Sequence, residues 1–219
     1  MKINKLDSIF ITLLCISVIS CGGGSSNGGG SSNDDEKQVE TSNKPSFTIT
    51  SSDYDDGGVI PEKHADDMVI GGVQDCANGN AENLSPQYSW ANPPEGTESF
   101  AVIMDDETDP CLPGLGACVH WNVFNIPKSK TELPGGFVFP YDDPIVVADG
   151  SGLEQALYFG MCPPRNNEHT YTTTIYALNS NMPLLDFNTT YTRESFSVQY
   201  KNEILGTAEI TGKYIYIPN

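Results

Sequence analysis

Two stretches of this chain carry side chains suited to acid–base or anion chemistry. The first runs Phe100-Ala101-Val102-Ile103-Met104 into Asp105-Asp106-Glu107, passes a loop holding Cys111 and Cys118, and returns His120 on a second apolar stretch. The second is Leu157-Tyr158-Phe159-Gly160-Met161-Cys162-Pro163-Pro164, followed by Glu168-His169-Thr170-Tyr171. An imidazole changes charge near neutral pH, and a carboxylate beside it moves that balance. A glycine ahead of two prolines lets backbone approach a ligand closely, and the amides of Gly160, Met161 and Cys162 can donate where the prolines cannot. Such a turn can cradle an anion. A phosphate monoester would find donors in those amides, the Tyr171 hydroxyl and protonated His120 or His169. Ionised Asp106 cannot donate. Its roles would be to orient or charge a histidine, or to accept from a ligand amine or a protonated phosphate oxygen. Asp105 and Glu107 read as solvated loop charges, and Asp109 as a turn residue.

The elements that must position these groups are mainly strands. Phe47–Thr50, Met68–Ile70, Tyr88–Trp90, Ser99–Met104, Val119–Ile126, Thr170–Leu178 and Ala208–Ile217 are short, rich in β-branched and aromatic residues, and separated by Gly, Pro, Asn and Asp. They predict a mostly antiparallel β domain. The unbroken apolar run Phe100–Met104 suits a central strand buried on both faces. Alternation along Val119–Ile126 predicts Val119, Trp121 and Val123 on one face, with His120 and Asn122 on the other. His169 and Tyr171, two residues apart, share a face. Near the end, Thr192 can cap a helix whose apolar stripe is Phe196, Tyr200 and Ile204 and which Gly206 ends.

The termini and the charge narrow the function classes. Lys2 and Lys5 precede an apolar run, Ile9–Ile19, too short to span a bilayer, so residues 1–20 read as an export leader. Val18-Ile19-Ser20-Cys21 resembles a bacterial lipobox, in which the Cys21 thiol receives lipid and becomes the mature N-terminus. An ordinary secretory leader is the alternative. At about 0.8 kcal/mol per buried methylene, two or three acyl chains make a stable anchor and one does not. Residues 21–44 form a Gly, Ser and acidic tether, averaging roughly 25 Å end to end as a flexible coil. Residues 45–219 make one domain. Loss of residues 1–20 takes the formal charge from −18 to −19. That excludes nucleic acid as an electrostatic partner and leaves the lipid as the attachment to membrane, with the bacterial envelope, at the outer membrane, as the expected location.

Cys76, Cys111, Cys118 and Cys162 remain after the leader and the lipidated cysteine are set aside. In an oxidising compartment they read as two disulfides, with three pairings open; a Cys111–Cys118 bridge would staple the loop before His120. A zinc site is disfavoured by the lack of CxxC spacing, and no metal or other cofactor is expected.

Taken together, Leu84-Ser85-Pro86 with Trp90, Pro94-Glu95-Gly96-Thr97 with Ser99-Phe100-Ala101, Asp105-Asp106, His120-Trp121, Asn125-Ile126-Pro127, Gly160 with Cys162-Pro163-Pro164, and His169 with Tyr171 resemble the phosphatidylethanolamine-binding protein family in its bacterial Raf-kinase-inhibitor-like (YbhB/YbcL) branch. The resemblance spans residues 45–219. It implies an antiparallel β-sandwich with a few short peripheral helices and a small pocket for phosphate, phosphoryl headgroups or similar anions, built from Asp106, His120, Gly160, His169 and Tyr171. The resemblance also implies a pairing of Cys76 with Cys162, since a cysteine in the Cys162-Pro163-Pro164 turn and one upstream of Leu84-Ser85-Pro86 recur in exported relatives. Three departures stand out: Thr108 where the family's DPDxP motif has its second aspartate, Thr170 where an arginine usually follows the histidine, and the extra Cys111–Cys118 stretch.

The reading is therefore a membrane-anchored binding module with no catalytic residues. An inhibitor or regulator of an unknown extracytoplasmic protein, such as a protease, is the alternative. A hydrolase is disfavoured, because Asp149-Gly150-Ser151-Gly152 lacks the first glycine of GxSxG.

Overall fold

The computed structural model describes residues 44–108, 116–136, 145–148 and 158–219. Residues 1–43, which include the leader, Cys21 and all of the tether but Lys44, lie outside the described residues, as do Asp109, Cys111 and the Asp149–Gly152 stretch.

Strand signals become strands nearly where the residues place them. In chain order they are β1 (Thr48–Thr50), β2 (Gly58–Val59), β3 (Val69–Ile70), β4 (Val73–Gln74), β5 (Tyr88–Ala91), β6 (Ser99–Asp106), β7 (Cys118–Pro127), β8 (Glu132–Leu133), β9 (Val146–Val147), β10 (Glu168–Leu178) and β11 (Ile204–Ile215), with one α-helix among the described residues, α1 (Arg193–Gln199), before β11. The very short β2, β4, β8 and β9 carry too little pattern to be read in advance. One sheet has the order β1-β5-β8, a second β2-β11-β10-β6-β7-β9, and β3-β4 form a separate hairpin. Pairing is antiparallel except where β2 joins β11.

Strand β6 lies between β10 and β7 and is buried along nearly its whole length, which is why its sequence is apolar without alternation. One face sends Phe100, Val102 and Met104 into the main core, which also takes Ile49, Tyr88, Trp90 and Leu133 from the smaller sheet. The other sends Ala101 and Ile103 against Phe196 and Tyr200 of the α1 region. This two-residue period sorts the acidic residues at the strand's end. Asp106 continues the main-core face and Asp105 the helix face.

Asp105 is accordingly not a solvated charge: it is 1% exposed. Its Oδ2 accepts the backbone N–H of Arg193 at 2.8 Å and its Oδ1 accepts Arg193 Nε at 2.5 Å, tying the helix's first turn to the sheet. Arg193 also pairs with Glu107 and, at 3.3 Å, with Glu209. Glu107 is exposed in the loop after β6, as expected of a solvated charge, so the correction falls on Asp105 alone. A concavity of about 460 Å³ opens on this helix side, lined by Asp105, Glu107, Gly116, Ala117, Thr192 and Glu194. Its three carboxylates make it a poor seat for an anion.

The helix starts as expected, with Thr192 Oγ1 accepting from Ser195 N–H at 3.1 Å, but it ends early. Tyr200 closes it, and Ile204 opens β11 while still reaching the helix-side core. Gly206 sits inside β11 opposite Ala177, where an added Cβ would lie 2.8 Å from Pro94 Cγ. Its smallness serves packing rather than a helix stop. The i to i+4 recurrence was real in space, but a strand supplied its last member.

Candidate functional site

Strands β6, β7 and β10 bring Asp106, His120, His169 and Tyr171 to one end of the large sheet. Asp106 pairs in register with Tyr171 and with Cys118. Between β6 and β7 the register slips: Met104 faces Trp121 while Asp105 faces Val119, so His120 is the extra residue of a β-bulge. A bulge breaks the two-residue alternation and re-aims a side chain. His120 therefore lies with its ring centroid 5.1 Å from that of Tyr171, on the same side as Trp121, and the predicted separation of His120 from Trp121 is corrected. Asn122 keeps the expected opposite face, bonding the backbone of Tyr191 through both amide atoms.

Asp106 and His169 form a buried pair. The Asp106 Oδ2 to His169 Nδ1 distance is 2.5 Å, with side chains 4% and 3% exposed. Asp106 Oδ1 accepts the Thr108 N–H at 2.7 Å, so both carboxylate oxygens are engaged. Asn167 Nδ2 lies 3.1 Å from His169 Nε2. The ring thus lies between Asn167 at Nε2 and Asp106 at Nδ1. Thr108 and Thr170, the two threonine departures, meet: Thr170 N–H donates to Thr108 Oγ1 at 3.3 Å. They replace charge at the site's edge with a neutral backbone brace.

His120 has a different setting. Its Nδ1 donates to the Phe159 carbonyl at 2.8 Å, and the Phe159 N–H donates back to the His120 carbonyl at 2.9 Å. Fixing Nδ1 as the donor leaves Nε2 as the nitrogen for a ligand. Burial holds the ring's pKa below its ordinary value, opposed by the Phe159 carbonyl and the Asp106 charge. Tyr171 is 1% exposed, and burial, with Asp106 adding, pushes its hydroxyl well above its usual pKa, so it stays a neutral donor. The His169 and Tyr171 rings stack with centroids 6.5 Å apart.

Gly160 lies beside this group, but for a reason the residues alone did not reveal. Its N–H is already spent on Asn83 Oδ1 at 2.8 Å, correcting the expectation of a free donor there. A Cβ on Gly160 would fall 2.3 Å from Asp66 N and 2.5 Å from the Ala65 carbonyl carbon. The close approach is to this protein's own backbone. Residues 64–66 hold the turn further through Asp66 N–H to Met161 O at 3.1 Å and Tyr158 Oη–H to His64 O at 2.9 Å. Gly160→Ala is thus expected to destabilise the domain by about 3 kcal/mol, since backbone cannot yield as a side-chain tip can. Denaturant unfolding at fixed pH measures this, and a loss within error of zero would mean the turn relaxes freely.

The turn is also closed covalently by Cys76–Cys162. Cys118 is disulfide-bonded as well, while Cys111 lies outside the described residues. With three of the four cysteines oxidised, a cysteine zinc site is ruled out. Beyond the expected residues, the structure adds Asn83 and Asn167, whose side chains orient the turn and a histidine. Asn83 adopts a φ of +52°, and its place just before Leu84-Ser85-Pro86 was the only available hint.

A β-sandwich with a histidine–aspartate cluster at one end of its central strands has the build of a ligand-binding domain. Residues 50–215 match the model of the phosphatidylethanolamine-binding protein family, and the chain belongs to that family. It is 30% identical over 176 residues to YbcL of Escherichia coli (strain K12), covering 77% of this chain and 87% of that protein. To YbhB of the same organism it is 28% identical over 171 residues, covering 76% and 98%. The crystal structure of E. coli YbcL, a member of the PEBP family, superposes with a TM-score of 0.57 at 28% identity, covering 77% of this chain and 98% of that one.

Proposed function

We propose that this protein is a binding module, held at the bacterial envelope by lipid on Cys21, whose pocket of Asp106, His120, His169 and Tyr171, beside the Gly160 turn, takes phosphate or a phosphoryl headgroup. The observation that carries the reading is the convergence of two buried histidines, one paired with Asp106 at 2.5 Å, in a sheet end otherwise built of aromatic core. Tyr171 supplies a neutral hydroxyl donor. His120 Nε2 supplies a second donor once protonated. The Asp106 charge is balanced locally by the His169 N–H and the Thr108 amide, which lets an anion approach despite a net charge of −18 over the chain.

Binding should strengthen as pH falls. The free pocket holds His120 neutral because burial lowers its pKa, whereas a bound anion favours the protonated ring, so binding takes up a proton. Sulfate separates this from the ligand's own titration, because it stays doubly charged across the range. Ring NMR signals of His120 and His169 are expected to move with sulfate and with phosphate, sulfate affinity is expected to rise from pH 8 to pH 6, and His120→Ala is expected to abolish both responses. No ring shift at millimolar phosphate would overturn the pocket. An acyl mass on Cys21 in the mature protein tests the anchor independently.

A further inference from the structure

Phe159 is half exposed, at 48%, although it is anchored on a buried histidine. Its ring stacks on His120 with centroids 5.6 Å apart and planes 22° apart. Two backbone ties hold it there: Phe159 N–H to His120 O at 2.9 Å, and His120 Nδ1 to Phe159 O at 2.8 Å. On its other flank Gly160 is locked by Asn83 and by the backbone of residues 65 and 66. An exposed aromatic ring on a mobile loop is ordinary surface. One fixed on both sides and laid against the imidazole of an anion pocket is a built surface with one part still open.

We infer that Phe159 is the specificity-determining residue of the pocket: it forms an apolar shelf beside the anion seat and selects phosphoryl esters carrying an apolar substituent over inorganic phosphate. The inference rests on the anion-pocket reading above and adds to it which part of the ligand is recognised. Because the Phe159 ring lies 5.6 Å from the His120 ring, centroid to centroid, a substituent on an anion bonded to His120 Nε2 can reach it. A flat or acyl group placed there covers the exposed ring and leaves water, while bare phosphate has nothing to place on it. The shared chemistry is an apolar phosphoester, whether a soluble aryl phosphate or the glycerophosphoryl end of a lipid.

The test compares phenyl phosphate, inorganic phosphate and a short-chain dispersed phosphatidic acid by calorimetry on the wild type, Phe159→Ala and Phe159→Leu. The wild type is expected to prefer phenyl phosphate over inorganic phosphate by about fivefold, the scale of one aromatic contact. Phe159→Ala is expected to erase that preference, read as the ratio of the two affinities, and Phe159→Leu to retain the acyl ligand better than the aryl one. The short-chain lipid distinguishes the sources: stronger binding than phenyl phosphate assigns the shelf to lipid, weaker binding to soluble aryl esters. An unchanged preference in Phe159→Ala overturns the role of Phe159 and leaves the pocket standing. Absence of binding by all three ligands overturns both.

Discussion

Removing the Cys76–Cys162 bridge, as a Cys76→Ala/Cys162→Ala double variant, is expected to destabilise the domain by about 4.5 kcal/mol. The bridge joins residues 86 apart, and closing a loop of that length restricts the unfolded chain by roughly that amount in the chain-entropy model. A domain of this size is stable by only about 5–15 kcal/mol, so the variant should sit near the edge of folding at body temperature. The folded state also loses a local clamp. Cys76 is fully buried, its carbonyl accepts the Tyr214 hydroxyl at 2.8 Å, and Cys162 follows directly on the turn that carries Phe159 and Gly160. Loosening Cys162 should therefore weaken anion binding beyond what the lost stability explains. Denaturant unfolding of the oxidised wild type and the double variant measures the first effect. A loss below about 1 kcal/mol would mean that the unfolded chain is already restricted by other means.

The strands were legible because their signal is local. A run such as Phe100–Met104 is apolar for one reason, burial on both faces, and the structure buries both. The family's motifs likewise marked the residues that meet at the sheet end. What escaped depends on register and on partners distant in sequence. Strict alternation put His120 opposite Trp121, and only the slip between the β6 and β7 pairings, invisible in β7 alone, returns it to the face of Tyr171. Asp105 and Asp106 look alike as neighbours, but one meets Arg193, 88 residues away, and the other meets His169, 63 residues away. Gly160 was singled out as a position where backbone could approach a ligand closely. The chain could not say that the space was taken by Asp66 and Ala65 rather than by a ligand. Gly206 failed in the same way, as a helix stop was the common reading and a contact with Pro94 the actual cause. Glycines announce crowding; they do not name the neighbour.

Asp106→Ala is expected to destabilise the domain by about 3 kcal/mol, and His169→Ala by a similar amount, because each single change strands a buried partner. Without Asp106, the His169 Nδ1–H and the Thr108 N–H lose their acceptor; without His169, a carboxylate that is 4% exposed loses its nearest donor. Removing both relieves the stranding. The double variant should consequently be less damaged than the two losses added together, by a coupling of about 2 kcal/mol in a double-mutant cycle. Two strictly additive losses would mean that Asp106 and His169 are neighbours without being a pair, and that the site's charge balance lies elsewhere. The cycle also separates fold from function. If the double variant unfolds near the wild type yet no longer shifts the His120 ring on adding sulfate, the buried pair serves the ligand. If it still binds, the pair is a structural brace, and the work of holding the anion falls to His120 and Tyr171, whose ring centroids lie 5.1 Å apart.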